Sequence, residues 1–283
     1  MELVHIRNQH LQVSISPVGA EIQSVIDEQG RERMWQGDPD VWSGRAPILF
    51  PVAGGLRDDY YLWQGKKYPL PKHGFVRRIP WQVESVEETQ ATFLMTEKHE
   101  GFPFDYELRA VFTLEGNTLQ VAYHVKNVQD APFYFSIGAH EAYLLPGGIE
   151  QYAVHFDEEE RLDRYVIVGN GILPEPECMA ESTKVLPLRY SDYTVDALVF
   201  KHLKSRGVEI RGGDGRMIRV EAPQHPVLMF WTKPNMNAPY LCIEPWCNAP
   251  DLVNAPYEID RKFGFMRLEA GEEKVRLHRI TFG

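Results

Sequence analysis

Three titratable side chains stand inside apolar or glycine-flanked runs, where proton chemistry could use them. The stretch Tyr240-Leu-Cys-Ile-Glu-Pro-Trp-Cys-Asn-Ala-Pro-Asp251 lodges one carboxylate, Glu244, among largely apolar neighbours. A carboxylate removed from water is poorly solvated in its charged form, so its pKa rises toward the range where it exchanges protons at neutral pH. Glu244 is therefore a general-base candidate; the structural alternative is an acid that ends a strand and takes a backbone N–H or an arginine. Pro71-Lys-His-Gly-Phe-Val-Arg77 sets His73 directly before a glycine, where the backbone can turn tightly. Phe133-Tyr-Phe-Ser-Ile-Gly-Ala-His140 ends an aromatic, strongly β-forming run in a histidine. Each histidine is expected at a strand end. Two histidines and one carboxylate at the mouths of strands make an acid–base pair plus an orienting donor.

The elements that must position them are strands. Apolar and polar residues alternate with period two from Leu11 to Ser16, an extended segment Glu21–Ile26 is expected to pair back on it, and the alternation recurs in Gln90–Thr96, Tyr106–Leu114, Thr118–Val128, Thr194–Phe200, Val208–Ile210, Met217–Ala222 and Val275–Phe282. Turn signals such as Glu115-Gly-Asn117 and Gly212-Gly-Asp-Gly215 separate them, which predicts antiparallel hairpins. No window carries a capped 3.6-residue period, so helices should be short and few. The pattern predicts an all-β sandwich, and without repeats or linkers residues 1–283 are expected to form a single domain. The Pro- and Gly-rich stretch from Leu162 to Pro187 reads as a long excursion from the sheets.

Composition excludes several functions. With 40 acidic against 30 basic side chains the formal charge is −10, which repels nucleic acid and anionic membranes, and no basic run overrides it. Three cysteines, Cys178, Cys242 and Cys247, have no paired spacing that would support a disulfide framework or a zinc knuckle. No signal-peptide pattern opens the chain, and no apolar run approaches the ~20 residues that span a bilayer. A cytoplasmic protein, monomer or homodimer, is the expectation. Twelve per cent aromatic residues, six tryptophans among them, serve equally as core and as platforms for sugar rings.

Five stretches in one order carry a family resemblance: Ala46-Pro-Ile-Leu-Phe-Pro-Val-Ala-Gly-Gly-Leu56, Lys72-His-Gly-Phe-Val-Arg77, Phe135-Ser-Ile-Gly-Ala-His140, Asp196-Ala-Leu-Val-Phe-Lys201 and Leu241-Cys-Ile-Glu-Pro-Trp246. With Leu268-Glu-Ala-Gly-Glu272 they span nearly the whole chain, which resembles the aldose 1-epimerase (galactose mutarotase) family and looks most similar to its LacX-like branch. The resemblance implies a galactose-mutarotase-like supersandwich of mainly antiparallel strands with a sugar cleft on one face. It implies that Glu244 is the general base, that His140 enters as imidazolium as the general acid opposed across the ring, and that His73 helps hold the sugar. The reaction would interconvert the α and β anomers of an aldohexose such as galactose or glucose. The sugar carries its own electrophile and nucleophile, so neither metal nor organic cofactor is expected.

The chain departs from the family pattern in places. An expected substrate arginine falls on Gly55, so Arg57 would have to reach in from two residues on. Asp192 and Asp196 compete as the sugar-contacting aspartate. Glu141, beside His140, would raise the histidine's pKa if the side chains lie close. Trp246 is expected to add an aromatic wall. Arg77 can grip a phosphate, which would make the protein a hexose-phosphate mutarotase. Two rival readings are a non-catalytic sugar-binding or sensor module and a metal enzyme holding its ion on His73, His140 and Glu244.

Overall fold

In the computed structural model, which describes Met1–Gly283, most of the alternating segments pair into one thirteen-stranded sheet, Leu11–Ser16 and Glu21–Asp27 belong to a separate three-stranded sheet, and three two-stranded sheets complete the fold. All seventeen strand pairings are antiparallel. The helical content is five 3-10 segments, none longer than four residues, and no helix is long and apolar enough to cross a membrane. The period-two faces close on a core of 61 buried residues drawn from Ile6 to Phe282. At roughly 25 cal/mol per Å² of apolar surface, that core is the dominant favourable term of folding.

Two expectations are corrected. Leu162–Pro187 is not irregular: Tyr152–Tyr165 and Glu177–Pro187 pair in an antiparallel hairpin, and Ile167–Val168 pairs with Gly171–Ile172 across a Gly169-Asn170 turn. The prolines and glycines mark the turns of this excursion, and Glu177–Pro187 lies off the main strand path. The strand expected from Thr194 begins only at Leu198, because the chain leaves the 3-10 turn Tyr190–Tyr193, which carries Asp192, with Thr194 still in the helical region and bends through Thr194–Asp196 before it extends.

The strand Tyr240–Trp246 is buried along its whole length. Glu141–Leu144 pairs on one side of it and Val227–Trp231 on the other. Alternation splits its side chains: Leu241 and Ile243 enter the large core, while Tyr240 and Cys242 join a small cluster with Trp35 and Ala142. Trp246 packs in a second small cluster with Leu49, Ala53 and Val199. Glu244 therefore points away from the main core, between two apolar clusters.

Candidate active site

Antiparallel register sets the first contact. Glu141 lies opposite Ile243, and the Ala139 N–H donates to the Pro245 carbonyl at 3.1 Å, so His140 stands directly opposite Glu244. Residues between two hydrogen-bonded pairs bring their side chains closest. His140 Nε2 accordingly lies 3.3 Å from Glu244 Oε2. Glu244 is 1 % exposed and His140 8 %. Glu244 Oε2 and His140 Nδ1 are buried without a hydrogen-bond partner.

Pro245 has no N–H to return to Ala139. The Trp246 indole Nε1 donates to the Ala139 carbonyl instead, at 3.0 Å. Proline and tryptophan together keep the strand pairing satisfied immediately before the histidine.

His73 arrives from a turn rather than a strand end. Its own φ is +69° and that of Gly74 is +65°; a Cβ at Gly74 would stand 1.9 Å from the Phe50 carbonyl oxygen, which only glycine tolerates. The Gly54 N–H donates to His73 Nδ1 at 3.1 Å. Burial first, then His140, Arg77 and Lys72, hold the His73 pKa well below its ordinary value. The ring is thus neutral with its proton on Nε2, a hydrogen-bond donor.

The three residues line a cleft of ≈ 390 Å³ together with Arg77, Asp196 and Trp246. Trp42 stacks on His140, with centroids 5.1 Å apart, and Trp231 meets its edge at 5.6 Å. Lys72 Nζ lies 3.7 Å from Asp196 Oδ2. Asp196, not Asp192, is the aspartate of the cleft.

Burial, then Asp196, pushes the Glu244 pKa well above the carboxylate range, with Lys72 opposing. Burial pushes His140 down to about 3, with Arg77 and Lys72 adding to the effect. The free site therefore favours a neutral pair, not the expected imidazolium, because neither charge is solvated. Glu141 does not raise His140: it points to the opposite face of its strand and meets His278 Nε2 at 2.8 Å.

Arg57 is not brought to the cleft. Its guanidinium lies over the Tyr257 ring at 4.4 Å and donates to the Ala255 carbonyl at 3.0 Å. Nor is there room at Gly55, where a Cβ would stand 2.4 Å from the Asn170 carbonyl oxygen. The Gly169-Asn170 turn covers that place, and Asn170 lines the cleft. Sequence reasoning also missed Lys72 and Lys233 as lining residues. The signal for Lys72 was its position beside His73, and for Asn170 its Gly-Asn-Gly turn.

The metal-donor set gathered here is His140, Cys242 and Glu244, with ligand atoms within 4.8 Å of one another, and it omits His73. A metal would need the Cys242 thiolate. Burial and the nearby Glu244 and Glu141 push that thiol well above its ordinary value, so these residues fit an ion poorly.

The comparisons agree with this architecture. The family model described as "Aldose 1-epimerase" matches residues 2–276. The plasmid-encoded protein LacX of Lactococcus lactis subsp. lactis is 32% identical over 260 residues, 86% of this chain and 87% of its own. A galactose mutarotase related enzyme from Lactobacillus acidophilus superposes with a TM-score of 0.94 at 28% identity, over 99% of this chain and 97% of its own. A galactose mutarotase-like protein from Lactobacillus casei superposes at 0.93 with 26% identity, over 99% and 100%. Sequence, fold and relatives converge, and the chain belongs to the aldose 1-epimerase family of isomerases.

Proposed function

We propose that the protein interconverts the α and β anomers of an aldopyranose by acid–base ring opening and closure, with Glu244 as base and His140 as acid. The observation that carries this reading is the 3.3 Å approach of the two side chains at the cleft. The anomeric hydroxyl and the ring oxygen are bonded to one carbon, so a base and an acid set side by side serve both. They need not oppose each other across the ring.

The pair needs one proton in total. Burial favours the neutral arrangement with the proton on Glu244, and the hydroxyls of a bound sugar replace lost solvation and favour carboxylate with imidazolium. Glu244 then takes the proton of the anomeric hydroxyl, whose electron pair forms the C1 carbonyl. The bond from C1 to the ring oxygen breaks, and that oxygen takes the proton of His140. Rotation about C1–C2 presents the other carbonyl face, and the reverse transfers close the ring as the opposite anomer. His73 Nε2–H and Asp196 are suited to sugar hydroxyls, and Trp42 and Trp231 to an apolar ring face.

Polarimetry on freshly dissolved α-galactose and α-glucose tests the reading. The expected result is decay to equilibrium at a rate proportional to enzyme concentration. Sugar binding without acceleration would make the protein a binding module and overturn it.

A further inference from the structure

His140 is placed by its chain neighbours rather than by hydrogen bonds of its own. Its backbone N–H and carbonyl enter no backbone hydrogen bond. Its Nδ1, the ring nitrogen whose hydrogen bond commonly orients a working imidazole, has no partner. On the Ala139 side the chain is fixed by the Ala139 N–H on the Pro245 carbonyl and the Trp246 indole on the Ala139 carbonyl. On the other side stands Glu141, an acid only 2 % exposed. Alternation along the strand turns it to the face opposite His140, the face whose neighbours Tyr143 and Ile243 belong to the large core. Nothing in the acid–base chemistry of the cleft uses this buried carboxyl group.

Its partner comes from a distant part of the sheet. His278 Nε2 lies 2.8 Å from Glu141 Oε1, and each side chain is the other's sole hydrogen-bond partner, since Glu141 Oε2 and His278 Nδ1 are buried without one. His278 belongs to Glu273–Phe282, a strand paired on both sides, with Thr118–Asn127 and Met217–Glu221. Glu141–Leu144 is instead the last strand of the thirteen-stranded sheet, and six strands separate the two along it. The contact therefore crosses the interior of the fold. We propose that Glu141 is a positioning residue: its bond to His278 ties the terminal strand to an inner one and holds His140 at its proton-transfer distance from Glu244. The tie has little slack. Starting from 2.8 Å, a displacement of ~1 Å leaves no hydrogen bond, and a carboxyl group is then buried without any partner. The approach of His140 to Glu244 inherits that stiffness, because only one peptide bond separates His140 from the tie.

The inference rests on the epimerase reading, and its test includes a signal that does not depend on activity. Glu141→Leu combined with His278→Leu replaces the pair by apolar side chains of similar size, an exchange that buried polar pairs commonly tolerate. Anomer exchange of glucose, followed by NMR, should show kcat at least ~10-fold lower, since misplacing a reacting group by ~1 Å costs up to ~100-fold. KM should stay within about twofold, because the groups that face the sugar are untouched. Glu141→Gln, whose amide oxygen accepts the same His278 N–H, should keep kcat within about threefold. The Cε1–H resonance of His140, assigned by its disappearance in His140→Asn, should move in the double variant and stay in Glu141→Gln. Glu141→Ala, read per folded molecule, gives the same decision if the double variant does not fold. Wild-type kcat in the folded double variant, or a raised KM with kcat unchanged, overturns the positioning role and leaves the epimerase reading standing. A Glu141→Gln kcat as low as that of the double variant overturns it too. If the wild-type protein accelerates no sugar, the epimerase reading falls, and an unmoved His140 resonance in the double variant overturns the positioning role as well.

Discussion

His140 and Glu244 are cross-strand neighbours, 3.3 Å apart at the cleft and held by a register that their backbones fix. In the proposed mechanism they are proton donor and acceptor, and so placed they would act as a unit. Glu244→Gln and His140→Asn should each slow anomer exchange by at least ~100-fold with the circular dichroism spectrum unchanged. The double variant should lose little more than the worse single one, since residues acting together are non-additive. Polarimetry with either single variant near the wild-type rate would remove that residue from the mechanism.

Burial of neutral His140 also shapes stability. Its folded pKa, about 3, lies below its ordinary 6.5, so in between the unfolded chain binds a proton that the folded chain refuses. The stability linked to this group is present above 6.5 and is lost as pH falls toward 3. His140→Asn removes the linkage, so its stability should fall less steeply across that window, by up to about 1.4 kcal/mol per pH unit. Urea unfolding at several pH values checks this; parallel curves for the two proteins would show that His140 titrates normally.

The indole of Trp246 stands in for the N–H that Pro245 lacks. Trp246→Phe keeps an aromatic ring but leaves the buried Ala139 carbonyl without that donor, which should cost about 1–3 kcal/mol in urea unfolding. An unchanged midpoint and slope would mean that the Ala139 carbonyl finds another partner.

Arg57 lies over Tyr257, outside the cleft. Arg57→Ala should therefore leave kcat/KM within about threefold of wild type, as substitutions away from a site do, while lowering stability by about 1 kcal/mol through the lost ring contact. A loss of 100-fold in kcat/KM would return Arg57 to substrate binding.

If proton transfer by Glu244 and His140 is the whole of the chemistry, the rate should survive removal of metal. Prolonged dialysis against a chelator should change anomer exchange by less than about twofold, within the effect of a neutral surface change. Activity that disappears on chelation and returns with one added divalent ion would instead assign the work to His140, Cys242 and Glu244 as ligands.

The sequence alone determined nine of the twenty-two strands and the unusual carboxylate. Period-two alternation marks a half-buried strand wherever it occurs, so the ladders from Leu11–Ser16 to Glu273–Phe282 were legible locally. Glu244 was legible because an acid amid apolar residues is conspicuous in any fold. The hairpin that carries Asn170 was not, since its prolines and glycines read as irregular until a partner strand supplied the ladder. Tertiary structure decided which charged groups share a volume. Chain distance says nothing about whether Lys72, Arg77 and Lys233 converge, or whether Arg57 turns inward or lies on Tyr257. It also decided the protonation of the central pair. Solvation depends on the atoms packed from every side, and only the packed fold removes enough water from His140 and Glu244 to drive their proton affinities in opposite directions.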